Sequence, residues 1–144
     1  MTELSAPTMT FGQTLAFAER ALTARLRDYL AELDTTPETW YALQTIGALG
    51  PVMPRDALVA ELAQSRTLNA QLASELLDRL ASEGLIHGAT EIALTDEGEA
   101  RHRELRDAIA ARTATLLGEF DRADVDTTMR TLRAVVERSE ALHA

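Results

Sequence analysis

Residues 83–98, EGLIHGATEIALTDEG, govern how the rest of the chain is read. Two short apolar runs, Leu85-Ile86 and Ile92-Ala93-Leu94, flank Gly88-Ala89-Thr90, the pattern of a two-stranded ribbon around a glycine turn. Thr95-Asp96-Glu97 then opens a helix, with Thr95 as its cap and two carboxylates complementing the N-terminal dipole. Gly84 suits the left-handed stop of a preceding helix. A small ribbon therefore lies between two helices, and it contains no arginine or lysine.

Upstream of the ribbon, Thr67 or Asn69 caps a helix that ends at Gly84. If Leu72, Leu76, Leu77 and Leu80 face its core, a step of about 100° per residue turns Gln71, Ser74, Glu75 and Asp78 outward. Pro54 opens a shorter helix, Arg55 to about Gln64, with Leu58, Val59 and Leu62 inward. Before it, Thr36-Pro37-Glu38 starts a helix that carries Trp40, Leu43, Ile46 and Ala48 and stops at Gly50-Pro51. The segment from Thr10 to Leu33 is predicted as one long helix. Phe11, Leu15, Ala18, Leu22, Leu26, Tyr29 and Leu33 form its main stripe, with Phe17, Ala21 and Ala24 on the other side. Apolar residues on two sides imply two partners, one of them a second subunit.

Downstream, a helix of roughly Asp96 to Phe120 has His102, Leu105, Ile109, Leu116 and Phe120 as its inward stripe. After a break at residues 121–124 a last helix carries Val125, Met129, Leu132 and Val136. The predicted order is four helices, a ribbon and two helices, a mostly α chain.

Bulk properties narrow the function. At 144 residues the chain suits one domain with a real core. No apolar run approaches membrane-spanning length, no secretory leader is legible, and the expected compartment is the cytoplasm. Zero cysteines exclude disulfides and thiolate chemistry. Net charge is −9, and all 14 basic residues are arginines. Attraction to nucleic acid comes from basic side chains at phosphates, so the distribution of those arginines matters more than the total.

The order of elements, with Thr36-Pro37-x-x-Trp40, Leu76-Leu77-Asp78-Arg79-Leu80, Glu83-Gly84-Leu85-Ile86 and Leu94-Thr95-Asp96-Glu97-Gly98, resembles the MarR (multiple antibiotic resistance regulator) family over nearly the whole chain. The resemblance implies a winged helix-turn-helix lobe, residues 36–98, with a β-ribbon wing. It implies dimerisation helices at residues 10–34 and 99–144, and a homodimer whose recognition helices enter successive major grooves of pseudo-palindromic double-stranded DNA. It also implies a small aromatic effector in a cleft beside the dimerisation helices.

Two departures stand out. The family's wing carries an arginine that enters the minor groove, but here residues 84–94 are several positions too few for that segment and Glu91 stands in the ribbon. Glu75 stands where the family often has a basic residue. Residues 36–98 hold nine carboxylates against Arg55, Arg66 and Arg79, a net of −6.

The candidate DNA contacts are Arg55 and Arg66 to phosphate, and Asn69, Gln71 and Ser74 to base edges. The candidate effector contacts are Phe11, Phe17, Trp40, Tyr41, His102 and Arg106. His102 with Glu99 has the Glu-x-x-His spacing of di-metal sites, but those need it twice, so neither a metal nor a cofactor is expected. No nucleophile–base arrangement, Gly-rich phosphate loop or HExxH run is present, and no catalytic residue is assigned. The expected function is a ligand-responsive regulator, a repressor. The alternative is a protein of this fold that has lost DNA and uses its cleft to bind or transform a small molecule.

Overall fold

The computed structural model describes residues 9–142. Six helices and three short strands follow in the order α1 (Phe11–Glu32), α2 (Pro37–Ala48), β1 (Met53–Pro54), α3 (Arg55–Leu62), α4 (Ala70–Ser82), β2 (Ile86–His87), β3 (Glu91–Leu94), α5 (Asp96–Leu117) and α6 (Arg122–Ala141). The chain divides into two compact units, one running up to Arg103 and the other beginning at Glu104. Among the described residues no helix is long and apolar enough to cross a membrane.

Local chemistry accounts for the helix boundaries. Thr10 and Gln13 cap α1 reciprocally, each side chain receiving a backbone N–H of the other. Thr36 Oγ1 accepts from Thr39 N at the start of α2, where Pro37 occupies the first turn. Asn69 Oδ1 accepts from Leu72 N and starts α4, and Asp121 starts α6 in the same way. Gly84 ends the α4 segment at φ +80°, a conformation in which glycine carries no Cβ penalty. The turn after α1 uses Asp34 at φ 60° for the same purpose. Aspartate tolerates that region better than most residues, so no glycine marks this turn in the sequence.

The strands form one small sheet in the order β1-β3-β2, antiparallel throughout. Ile86 pairs with Leu94 and His87 with Ala93, which is the predicted ribbon. β1 is an addition to the predicted order. It pairs Met53 with Ile92 and Pro54 with Glu91, and a two-residue strand containing proline has no periodicity to read. Arg55 N then donates to Thr90 O at 2.8 Å, tying the start of α3 to the turn of the ribbon.

The core of the first unit is built from Ala42, Ile46, Leu58, Leu62, Leu68, Ala73, Leu76, Leu77, Leu80, Ile86 and Ile92. One expectation is corrected here. Leu72 is 45% exposed and Ala73 is fully buried in its stead, so the inward side of α4 is rotated from the all-leucine stripe. In α5, Leu105 is buried and His102 and Ile109 are half-buried, whereas Leu116 is exposed, and Phe120, expected on the same inward stripe, lies exposed beyond the end of the helix.

Candidate nucleic-acid interface

α4 buries Ala73, Leu76, Leu77 and Leu80 and turns Gln71, Glu75, Asp78 and Arg79 to solvent. Ser74 is half-buried at the flank. This exposed face, on a helix packed against α3, is the candidate surface for DNA. What it presents is set by hydrogen bonds within the chain.

Arg55, the first residue of α3, reaches across to α4. Its Nη2 donates to Ser74 O and Ser74 Oγ, both at 3.1 Å, and to Asp78 Oδ1 at 2.9 Å. The arginine end is largely covered while Asp78 stays exposed. Arg55 thus fastens α3 to α4 and spends its charge on a carboxylate of the exposed side of α4. Arg66 is exposed in the turn between the two helices, and its Nη1 lies 3.2 Å from Glu19 Oε1 of α1. Gln71 Nε2 donates to Glu75 Oε2 at 3.1 Å.

Of the five residues expected at DNA, the structure therefore gives all but one a partner in the form of another side chain. Asn69 is the exception, since its side chain is the helix cap. Sequence reasoning passed over Arg79, which is exposed in the last turn of α4 and forms no ion pair among the described residues. Its signal was available: it sits one helical turn beyond Glu75 on the outward stripe.

The ribbon adds no cation. His87, Gly88, Ala89, Thr90 and Glu91 are all exposed. A Cβ at Gly88, which has φ +105°, would fall 1.8 Å from Glu91 O, so the tightness of this turn demands glycine.

The aromatic candidates separate into groups. Trp40 of α2 and His102 of α5, both half-buried, bring their rings to 5.5 Å between centroids at an interplanar angle of 31°. Gly47, two turns along α2, leaves the room His102 occupies: a Cβ there would lie 3.2 Å from His102 Cε1. Beside this joint the Arg101 guanidinium donates to Leu33 O at the end of α1. Tyr41 is half-buried against the core. Phe11 and Phe17 are exposed on α1, with the Arg20 guanidinium 5.2 Å from the Phe17 ring centroid. Arg106 belongs to the second unit, where its Nε lies 3.3 Å from Asp107 Oδ1. The structure thus unites Trp40 and His102. Among the described residues no group of three or more His, Asp or Glu side chains could hold a metal ion.

This arrangement of helices and sheet is a winged helix-turn-helix, and it matches solved structures of MarR-family proteins. Wild-type MarR of Escherichia coli in its apo form superposes with a TM-score of 0.77 at 18% identity, over 90% of this chain and 98% of that one. A MarR family protein of Mycobacterium tuberculosis, solved in complex with DNA, gives 0.75 at 20% identity over 89% and 98%. The same protein in complex with salicylic acid gives 0.73 at 20% identity over 89% and 99%. No sequence-family model and no curated protein matches the chain. The fold of this protein is therefore the MarR-type winged helix, with six helices and a small antiparallel sheet.

Proposed function

We propose that the chain is a homodimeric, ligand-responsive transcriptional regulator of the cytoplasm, a repressor, that binds pseudo-palindromic double-stranded DNA. The observation that carries this reading is α4, a capped helix with one side in the core and a polar side facing solvent. The fold it shares with a protein solved on DNA supports the same reading. Two copies would set two such helices in successive major grooves.

The dimer is supported by apolar surface on the terminal helices. Phe11, Phe17 and Leu22 of α1 are more than half exposed, as are Phe120 and Val136, and α6 has no buried residue. Large apolar side chains exposed in number on each segment are candidates for burial against a second chain. Residues 10–34 and 99–144 are accordingly assigned to dimerisation, and residues 36–98 to DNA.

Contact with DNA is assigned to Arg55, Arg66, Asn69, Gln71 and Ser74, joined by Arg79. Because the lobe is acidic, phosphate contacts are few and attraction is modest. Effector contact is assigned to Trp40 and His102, which meet, and separately to Phe11, Phe17, Tyr41 and Arg106, each as a candidate by itself. A ligand there favours one spacing of the recognition helices by its differential affinity for two dimer states. Fluorescence anisotropy with the intergenic duplex upstream of the gene, at a series of salt concentrations, tests the proposal. Specific binding that weakens with salt is expected, and its absence at low salt overturns it.

A second reading is favoured by the ion pairs of Arg55 and Arg66 and by the net −6 of the lobe. In it the fold has lost DNA and uses its cleft to bind or transform a small aromatic molecule. Trp40 is the chain's sole tryptophan, so its fluorescence reports directly on the joint. Saturable quenching by salicylate with no DNA binding at any salt favours this second reading.

A further inference from the structure

Glu75 occupies the middle of the outward side of α4, with Gln71 one turn before it and Arg79 one turn after. The spacing of four sets the three side chains in a single stripe along the helix. Gln71 Nε2 donates to Glu75 Oε2 at 3.1 Å, which steadies one carboxylate oxygen and leaves the group facing solvent. Among the described residues no arginine pairs with Glu75, whereas Asp78 and Glu19 each hold one.

A carboxylate in that position is repelled by the phosphates on both walls of a major groove, whatever sequence lies between them. It is favoured only where a base edge supplies a hydrogen-bond donor. The major groove offers two such donors, the amino groups of cytosine (N4) and adenine (N6). Adenine sets its N7 acceptor beside N6, which repels a carboxylate, while cytosine has no acceptor of its own at that edge.

We infer that Glu75 is a specificity-determining residue that accepts a hydrogen bond from N4 of one cytosine in each half-site. The inference rests on the DNA-binding reading above and adds to it the base pair that is selected. It gives the acidic lobe a purpose. General attraction to DNA is low, and the unpaired carboxylate penalises every site without the donor, so discrimination comes from rejecting wrong sequences.

Selection from a randomised duplex library, by the full-length wild-type protein and by Glu75→Gln and Glu75→Ala, tests this. Glu75 is exposed, and circular dichroism melts verify that both variants fold. The wild-type motif is expected to contain one C·G pair per half-site. Glu75→Gln changes that position to A·T, because glutamine pairs bidentately with adenine. Glu75→Ala loses preference there while the rest of the motif survives. Affinity for the C-bearing site relative to its A-substituted version falls roughly tenfold in Glu75→Gln.

If all three proteins select the same base at every position, Glu75 is only a repelling charge, and the inference is overturned with the DNA reading intact. If only the variants select a motif, the wild-type chain has no specific site of its own, and the inference and the DNA reading fall together. If none selects a motif even at low salt, the DNA reading itself falls and takes the inference with it.

Discussion

Leu58, Leu62, Leu77, Leu80 and Ile92 of the winged lobe are fully buried, whereas Phe11, Phe17, Phe120 and Val136 on the terminal segments are more than half exposed. Both regions carry regular apolar stripes, so patterning alone does not separate them. The lobe closes its core with α2, α3, α4 and the sheet of one chain. On the terminal segments Leu30 and Leu105 are buried, but Phe11, Phe17, Phe120 and Val136 of the same kind of stripe stay exposed among the described residues. An apolar stripe is a demand for a partner, and among the described residues the lobe meets that demand more completely than the terminal segments do.

The sharpest way to break the comparison is to charge the uncovered surface. Phe120→Asp combined with Val136→Asp is expected to convert dimer to monomer in sedimentation velocity, because carboxylates would enter an apolar interface without partners. Thermal stability of the lobe should change little. A wild-type protein that sediments as a monomer would remove the contrast altogether.

The next largest effect lies within the lobe. Leu77 is fully buried, and Leu77→Ala removes apolar volume from a packed core, at a cost of about 2–5 kcal/mol in denaturant unfolding. Leu72→Ala, four residues from Leu76 on the same helix but 45% exposed, should cost far less. Equal losses would mean that α4 is seated as its leucine spacing suggested.

That pair of leucines marks what could be read from the sequence. The cap at Thr36, one of the two caps expected for α4, the stop at Gly84 and the strand pair 86–87 with 92–94 were legible, because each has a local chemical cause. The rotation of α4 was not. Ala73 and Leu72 are both apolar, and only the shape of the facing core decides which is buried. β1 was hidden because its pairing lies with β3, nearly forty residues away. At the candidate DNA face the residue types were legible and their partners were not. That Arg55 is held by Ser74 and Asp78 follows from how α3 crosses α4, a tertiary fact with no sequence period.

A third prediction concerns the joint between ribbon and α5. A Cβ on Gly98 would lie 1.9 Å from Leu85 O, and the backbone there is fixed on both sides. Thr95 Oγ1 donates to Gly84 O at 2.6 Å and accepts from Gly98 N at 3.0 Å. Gly98→Ala must therefore shift backbone rather than a flexible side chain, at a cost of about 1–3 kcal/mol in thermal or denaturant unfolding. Gly12→Ala is the control, since nothing lies within 4 Å of its Cβ position.

The smallest effect is the most discriminating for the candidate DNA face. Asn69 was expected to meet DNA, and its Oδ1 is engaged by Leu72 N as the cap of α4. Asn69→Ala should cost about 1 kcal/mol of stability, and Asn69→Ser, which keeps a capping oxygen, a few tenths at most. DNA affinity then separates the two roles. If Asn69 serves as a cap alone, the serine variant binds the selected duplex like wild type, and any loss in the alanine variant follows its stability. If its amide also donates to DNA, the serine variant binds less tightly at unchanged melting temperature, since a hydroxyl is too short to replace that donor. The lobe would then owe a contact to a residue it also uses to build itself.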